Sequence, residues 1–210
     1  MAFFGFRGMG KSALFTFSFL LFASSGCFNE PEPAYKSVPA EARVYLSEKG
    51  LADLHRVSGA WAKDKVDYLN LDRNKLTNVD EVVTCPGLKW LRLNSNRLSA
   101  LPDLKPLASL RRIYLKNNDF TSVPETLRDL PSLTDVDLSG NPISEVPQWL
   151  VDKPGIKNIS LSRTRITALP ANLDGWKGLT TLQLGELKLG EGTNEMSRIR
   201  AALPSVAIVF

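Results

Sequence analysis

Leu88-Lys89-Trp90-Leu91-Arg92-Leu93-Asn94-Ser95-Asn96-Arg97-Leu98-Ser99-Ala100-Leu101 is the stretch on which the fold turns. Apolar residues stand at 88, 91, 93, 98 and 101, with an asparagine at 96. The same spacing returns 22 residues later as Leu110, Ile113, Leu115, Asn118, Phe120 and Val123. Toward the N-terminus it is preceded by Val66, Leu69, Leu71, Asn74, Leu76 and Val79, also 22 residues away. Toward the C-terminus it continues at spacings of 23, as Leu133, Val136, Leu138, Asn141, Ile143 and Val146, then Ile156, Ile159, Leu161, Thr164, Ile166 and Leu169. Leu179, Leu182 and Leu184 open a sixth copy whose asparagine position is Leu187. A periodicity of this length is the mark of a stacked repeat architecture.

An amphipathic helix bundle does not account for the pattern. The paired apolar residues, as in Leu91-Arg92-Leu93, have the period of a strand. Pro102, Pro124, Pro147 and Pro170 recur past each pair and would break helices there.

The series L-x-x-L-x-L-x-x-N-x-L-x-x-L resembles the leucine-rich-repeat family, over about residues 41–210. That resemblance implies an α/β-type solenoid: a curved stack with a parallel concave sheet, and short helices or turns on the convex side. Each copy contributes a short strand about 4.8 Å from its neighbours. Both apolar residues of the pair point inward, and the residues between them point out. The turn after the strand leaves backbone groups inside the coil without ladder partners. In the family an asparagine amide, which both donates and accepts, serves them. Asn74, Asn96, Asn118 and Asn141 are expected to form that ladder. Thr164 fills the place in part and Leu187 not at all, so the ladder should end there. Glu125 to Leu130 has room for a turn or two of helix.

Degenerate copies are expected at both ends. Val44, Leu46, Leu51 and Leu54 keep the spacing at the start. At the far end, Ser197 to Leu203 reads as a last helix. Pro204 to Phe210 reads as a closing strand in which Val206, Ile208 and Phe210 alternate.

Before the repeats the chain changes character. Arg7 and Lys11 precede an apolar run from Ser12 to Ala23, followed by Ser24, Ser25, Gly26 and Cys27. This order describes a secretory signal peptide over residues 1–26, too short to span a bilayer comfortably. Small residues running directly into Cys27 resemble the lipobox of bacterial lipoproteins, which implies lipidation of Cys27. The family favours leucine three residues before the cysteine, where Ser24 stands, so ordinary cleavage after Ser25 or Gly26 is the alternative. Residues 27–42 then read as a tether, with Pro31, Pro33 and Pro39 among charges. The expected destination is a bacterial envelope lipoprotein, facing outer membrane or periplasm, or else a secreted protein.

Gly5-Phe6-Arg7-Gly8-Met9-Gly10-Lys11-Ser12 matches the phosphate-loop pattern G-x-x-x-x-G-K-[ST]. That chemistry needs a strand before the loop and a helix after it in a nucleotide-binding sheet. Four residues precede it and an apolar signal core follows, so no nucleotide is expected.

Composition narrows the function classes. Of 210 residues, 43% are hydrophobic and 23% charged, as in an ordinary globular protein. The formal charge is +4; with Arg7 and Lys11 set aside it falls to +2, 24 basic against 22 acidic residues. That is too little for a nucleic-acid footprint. One histidine and two cysteines cannot make a four-ligand zinc site. No cofactor or metal is expected. His55 reads as a flank residue, and Cys85 as a small buried hydrophobe.

The expected working surface is the concave sheet. Its outward residues run Tyr68, Asn70, Asp72; Trp90, Arg92, Asn94; Arg112, Tyr114, Lys116; Asp135, Asp137, Ser139; Asn158, Ser160, Ser162; Thr181 and Gln183. Tyr68, Trp90, Arg92, Arg112 and Tyr114 form an aromatic and arginine cluster of the kind enriched at binding hot spots. Lys116, Asp135 and Asp137 complete it as a candidate protein-binding surface. In the competing structural reading, Arg112 pairs with Asp135 across neighbouring strands while the aromatics shield the sheet. Asp135 and Asp137 share a face as a catalytic pair would, but an open sheet gives neither the desolvation that general acid work requires. No enzyme activity is expected.

Overall fold

The computed structural model describes residues 43–55, 57, 63–189 and 194–210. These lie in one compact unit, Val38–Phe210. The expectations for the signal peptide (1–26), the tether (27–42), Cys27 and the Gly5–Ser12 string fall outside the described residues.

Each copy of the spacing forms one strand. They are β1 (Arg43–Tyr45), β2 (Tyr68–Asn70), β3 (Trp90–Arg92), β4 (Arg112–Tyr114), β5 (Asp135–Asp137), β6 (Asn158–Ser160), β7 (Thr181–Gln183) and β8 (Ala207–Val209). They make one parallel sheet in chain order, every strand pairing with the next. The register follows the spacing: Leu69 faces Leu91, Leu91 faces Ile113, Ile113 faces Val136, and Val136 faces Ile159. This is the parallel solenoid that the repeats predict, and it includes the degenerate first copy. Val44 faces Leu69, and Leu54 is fully buried.

The ladder outlasts the three-residue strands. Leu71 N donates to Arg92 O at 2.8 Å, Leu93 N to Tyr114 O at 2.8 Å, and Leu115 N to Asp137 O at 2.8 Å. Ile113 and Leu115 are fully buried, as are their counterparts Leu91 and Leu93. Burying one such side chain is worth about 1.5–3 kcal/mol. Cys85 is fully buried in the same core.

The asparagines close the turns in the expected way. Asn96 Nδ2 donates to Leu71 O and Leu93 O, both at 3.0 Å, while its Oδ1 accepts from Leu76 N at 3.1 Å. Asn118 repeats this with Leu93 O and Leu115 O at 2.9 Å and with Leu98 N at 3.1 Å. Asn74 reaches Leu46 O and Leu71 O. Asn141 reaches Leu115 O and Leu138 O and accepts from Phe120 N. Each amide thus binds its own turn and the previous one. At the next place Thr164 Oγ1 donates to Leu161 O at 2.8 Å, within its own turn. A hydroxyl has one proton, so the two-way bridge stops there. Leu187 packs half-buried against the core instead.

The return segments are tight. Glu125–Leu127 and Asp174–Gly178 are 3₁₀ turns, Gln148–Asp152 is a short helix (α1), and Glu195–Ala202 is the last helix (α2). The predicted turn at Glu125 is shorter than two helical turns, and α2 begins two residues before the expected start at Ser197. Pro124 and Pro147 stand immediately before their turns in extended conformation, where a missing N–H costs nothing. Neighbouring returns press closely. A β-carbon on Gly175 would meet the Val151 carbonyl. Trp176, fully buried, donates from Nε1 to Leu150 O at 3.1 Å.

The end of the stack is fastened by a pair the spacing does not announce. Arg198 Nη2 donates to Glu195 Oε1 at 2.7 Å and to Leu169 O at 3.1 Å, and Glu195 Oε1 accepts from Leu169 N. The guanidinium beside it is the first cause holding the Glu195 carboxyl below its ordinary value, with burial opposing.

Candidate functional site

The strand register arranges the outward side chains in rows across the sheet. The first row runs Arg43, Tyr68, Trp90, Arg112, Asp135, Asn158 and Thr181. The second runs Tyr45, Asn70, Arg92, Tyr114, Asp137, Ser160 and Gln183. Both rows arise because side chains alternate across a strand, leaving residues 68 and 70 of β2 on the face opposite Leu69.

Aromatic rings gather at the N-terminal end of this face. The Tyr45 and Tyr68 centroids lie 5.3 Å apart, tilted by 43°. Tyr68 and Trp90 follow at 5.8 Å and 55°. The Arg112 guanidinium stands 4.5 Å from the Trp90 ring centroid, and Arg92 stands 5.3 Å from that of Tyr114. These are cation–π distances. Tyr68 is nearly buried at 8% exposure, Trp90 and Tyr114 are half-buried, and Tyr45 is exposed at 51%.

Each arginine also has a carboxylate. Arg92 Nε and Nη2 reach Asp72 Oδ2 at 2.8 and 2.7 Å. Burial works against the Arg92 charge, but Asp72 more than offsets this and holds it above its ordinary value. Arg112 Nε lies 3.5 Å from Asp135 Oδ2, the cross-strand pair of the structural reading. Asp135 accepts as well from Asn158 Nδ2 at 2.7 Å and from Thr134 Oγ1. Burial pushes the Tyr114 hydroxyl above its usual range, against the pull of Arg112. The cluster is therefore close to neutral and held in place from several sides.

The remaining predicted residues separate from it. Asp137 is 5% exposed, its carboxylate turned to Ser139, accepting from Ser139 N at 2.9 Å and Oγ at 2.6 Å. Asp135 and Asp137 share the sheet face but each is spent on its own hydrogen bonds. Lys116 is half-buried, and its backbone N donates to Asn94 Oδ1 at 2.9 Å. His55 is exposed, its backbone N donating to Asp53 Oδ1. No group of metal-binding side chains exists among the described residues, and none of their helices is long and apolar enough to cross a membrane.

Two contributors escaped the sequence reading of the cluster. Tyr45 extends the aromatic series, and the Val44 and Leu46 spacing could have shown it to point outward. Asp72 was placed on the face but not as the anchor of Arg92, because that contact runs diagonally between rows.

Comparison with known proteins agrees with this architecture. The family model described as leucine rich repeat matches residues 86–143, which contain β3, β4 and β5. No curated protein matches the chain.

Proposed function

We propose that this leucine-rich-repeat solenoid is a non-catalytic protein-binding module, exported and tethered to a bacterial envelope through Cys27, that holds a protein partner on its sheet face. Leucine-rich-repeat domains generally mediate protein–protein binding, using the broad face of the sheet. The observation that carries the reading is the Tyr45–Tyr68–Trp90 series with Arg112 on Trp90 and Arg92 on Tyr114. Aromatics and arginines held in position before a partner arrives lose little freedom on binding, which favours affinity. The partner contacts are Tyr68, Trp90, Arg92, Arg112, Tyr114, Lys116 and Asp135, with Asp137 supporting the sheet beside them.

The test is photo-crosslinking from position 90, with exposed position 152 on the return helix α1 as control, and identification of the captured protein. Trp90→Ala/Arg112→Ala should abolish binding of that protein while the Tm stays within a few degrees. Unchanged binding by the double variant removes this surface from the reading.

Ser24, standing where lipoproteins favour leucine, supports a second reading: a secreted inhibitor or effector that acts by protein binding without a lipid. Metabolic labelling with palmitate separates the two. Label lost in Cys27→Ala supports the tether; an unlabelled parent chain supports release.

A further inference from the structure

The flank on which the chain leaves the sheet carries a file of cations distinct from the aromatic face. Each copy places one residue just after its ladder position: Lys75, Arg97, Asp119, Pro142, Arg165 and Lys188. Backbone hydrogen bonds keep the file in register. Lys75 N donates to Leu51 O, Arg97 N to Leu76 O, Asp119 N to Leu98 O, and Arg165 N to Ile143 O. Just before the ladder position, Arg73 and Arg163 add two more cations, in left-handed backbone with φ of 57° at both. All six basic side chains are exposed.

Arg73 meets Glu48 at 2.7 Å. Lys75, Arg97, Arg163, Arg165 and Lys188 form no ion pair among the described residues. Several cations elsewhere are matched, Arg92 by Asp72, Arg112 by Asp135, Lys105 by Asp129, Lys177 by Asp174 and Arg198 by Glu195; what distinguishes the flank is that its cations stand in register in successive copies. The acidic groups on the flank are Glu48, Asp119 and Glu186. The back of the stack carries both signs, with Asp80, Asp103, Glu125, Asp129 and Asp152 beside Lys105, Arg128 and Lys177. A file of like charges makes a local field that the near-neutral sum over the chain conceals.

We propose that this flank lays the solenoid against an anionic lipid bilayer. Adjacent copies are about 4.8 Å apart, so the file from Lys75 to Lys188 covers about 24 Å in a nearly straight run. No aromatic side chain stands in either file, which withholds the stacking that single-stranded nucleic acid uses. Long flexible stems with dispersed, unpaired charge suit a layer of headgroups, to which each basic residue adds about fivefold in affinity at low salt. The inference rests on the proposed tether only for bringing the domain to a bilayer; the apolar run Ser12–Ala23 lies at the start of the same chain.

The full chain is mixed with vesicles of phosphatidylcholine alone and with vesicles that also contain phosphatidylglycerol, and the bound fraction is read by flotation. An anchor contributes alike to both, so their ratio isolates the flank. The parent chain should prefer the anionic vesicles by at least about tenfold, and added salt should erode that preference. Lys75→Gln/Arg97→Gln/Arg163→Gln/Arg165→Gln/Lys188→Gln should bring the ratio to within about twofold of unity, and the pair Arg97→Gln/Lys188→Gln to an intermediate value. Lys105→Gln/Arg128→Gln/Lys177→Gln, on the back, should leave it unchanged. Equal binding of the parent chain to both vesicles overturns the proposal, as does a ratio that survives the five substitutions together. Stronger binding to soluble polyphosphate than to anionic vesicles, at matched phosphate, overturns the bilayer as the occupant. A chain that ignores neutral vesicles but prefers anionic ones removes the tether and keeps the flank.

Discussion

Asn117 seats its side-chain amide against Gly140, one copy further along the stack, in the space that a β-carbon of residue 140 would occupy. Both residues belong to a column in left-handed backbone: Arg73, Ser95, Asn117, Gly140, Arg163 and Glu186, with φ between 53° and 69°. Five of the six bear side chains, so the turn itself does not demand glycine. What demands it at 140 is the neighbour. Left-handed backbone costs a non-glycine residue roughly 1–2 kcal/mol, and at Gly140 displacement of Asn117 is added. Gly140→Ala should therefore lower stability by about 2 kcal/mol or more, whereas Ser95→Gly should fall within about 1 kcal/mol of the parent. Urea denaturation of both variants checks this, and equal effects would show that the contact is immaterial.

The asparagine ladder gives a paired prediction. Asn118→Ala removes the partners of Leu93 O, Leu115 O and Leu98 N together. Each buried group left unsatisfied costs about 1–3 kcal/mol, so the loss should reach about 3 kcal/mol. Thr164→Asn works in the opposite direction: the amide supplies the second donation that a hydroxyl lacks. It should raise stability by about 1 kcal/mol, visible as a higher Tm. A Tm lowered by Thr164→Asn would mean that this turn does not admit the amide.

Lys153 yields the prediction in pH. Its residue is 8% exposed, and Nζ donates to Arg128 O at 2.9 Å and Leu130 O at 2.8 Å. Burial lowers its pKa from the ordinary 10.5, with Asp129 opposing. The folded chain thus releases this proton at lower pH than the unfolded chain. Between the two values the unfolded state binds more protons, so the lysine's contribution to stability rises with pH toward 10.5. The neutral amine still has two protons to give. Lys153→Met, which keeps the stem but orphans two carbonyls, should cost about 1–3 kcal/mol at neutral pH. The gap between parent and variant should widen as pH rises toward that limit. A gap that narrows on going alkaline would reverse the assigned sign.

Much of the stack was legible in the residues because a repeat writes its tertiary contacts as local spacing. Leu91, Ile113 and Val136 meet one another through identical geometry copy after copy, so the interval between them is the contact. The same holds for Asn74, Asn96, Asn118 and Asn141, and for the halt at Thr164. The outward row Tyr68, Trp90, Arg112 and Asp135 followed from alternation alone. Lys153, the Glu195–Arg198 clasp and the hold of Asp72 on Arg92 were not legible. Each occurs once, between a particular side chain and a particular backbone or diagonal neighbour, and leaves no interval to find.

The amino-acid sequence by itself determined a parallel stack with leucines within, asparagines at the turns, and an aromatic and arginine face, since period-two strands repeated at a fixed spacing bury their apolar side only by pairing with their neighbours. Tertiary structure decided how the charged groups on that stack are spent. Arg112 is shared between Trp90 and Asp135, Asp137 turns to Ser139, and Lys75, Arg97, Arg165 and Lys188 along one flank form no ion pair among the described residues. The physical reason is that charge pairing depends on rotamers and diagonal distances of a few ångströms, which the repeat spacing leaves open.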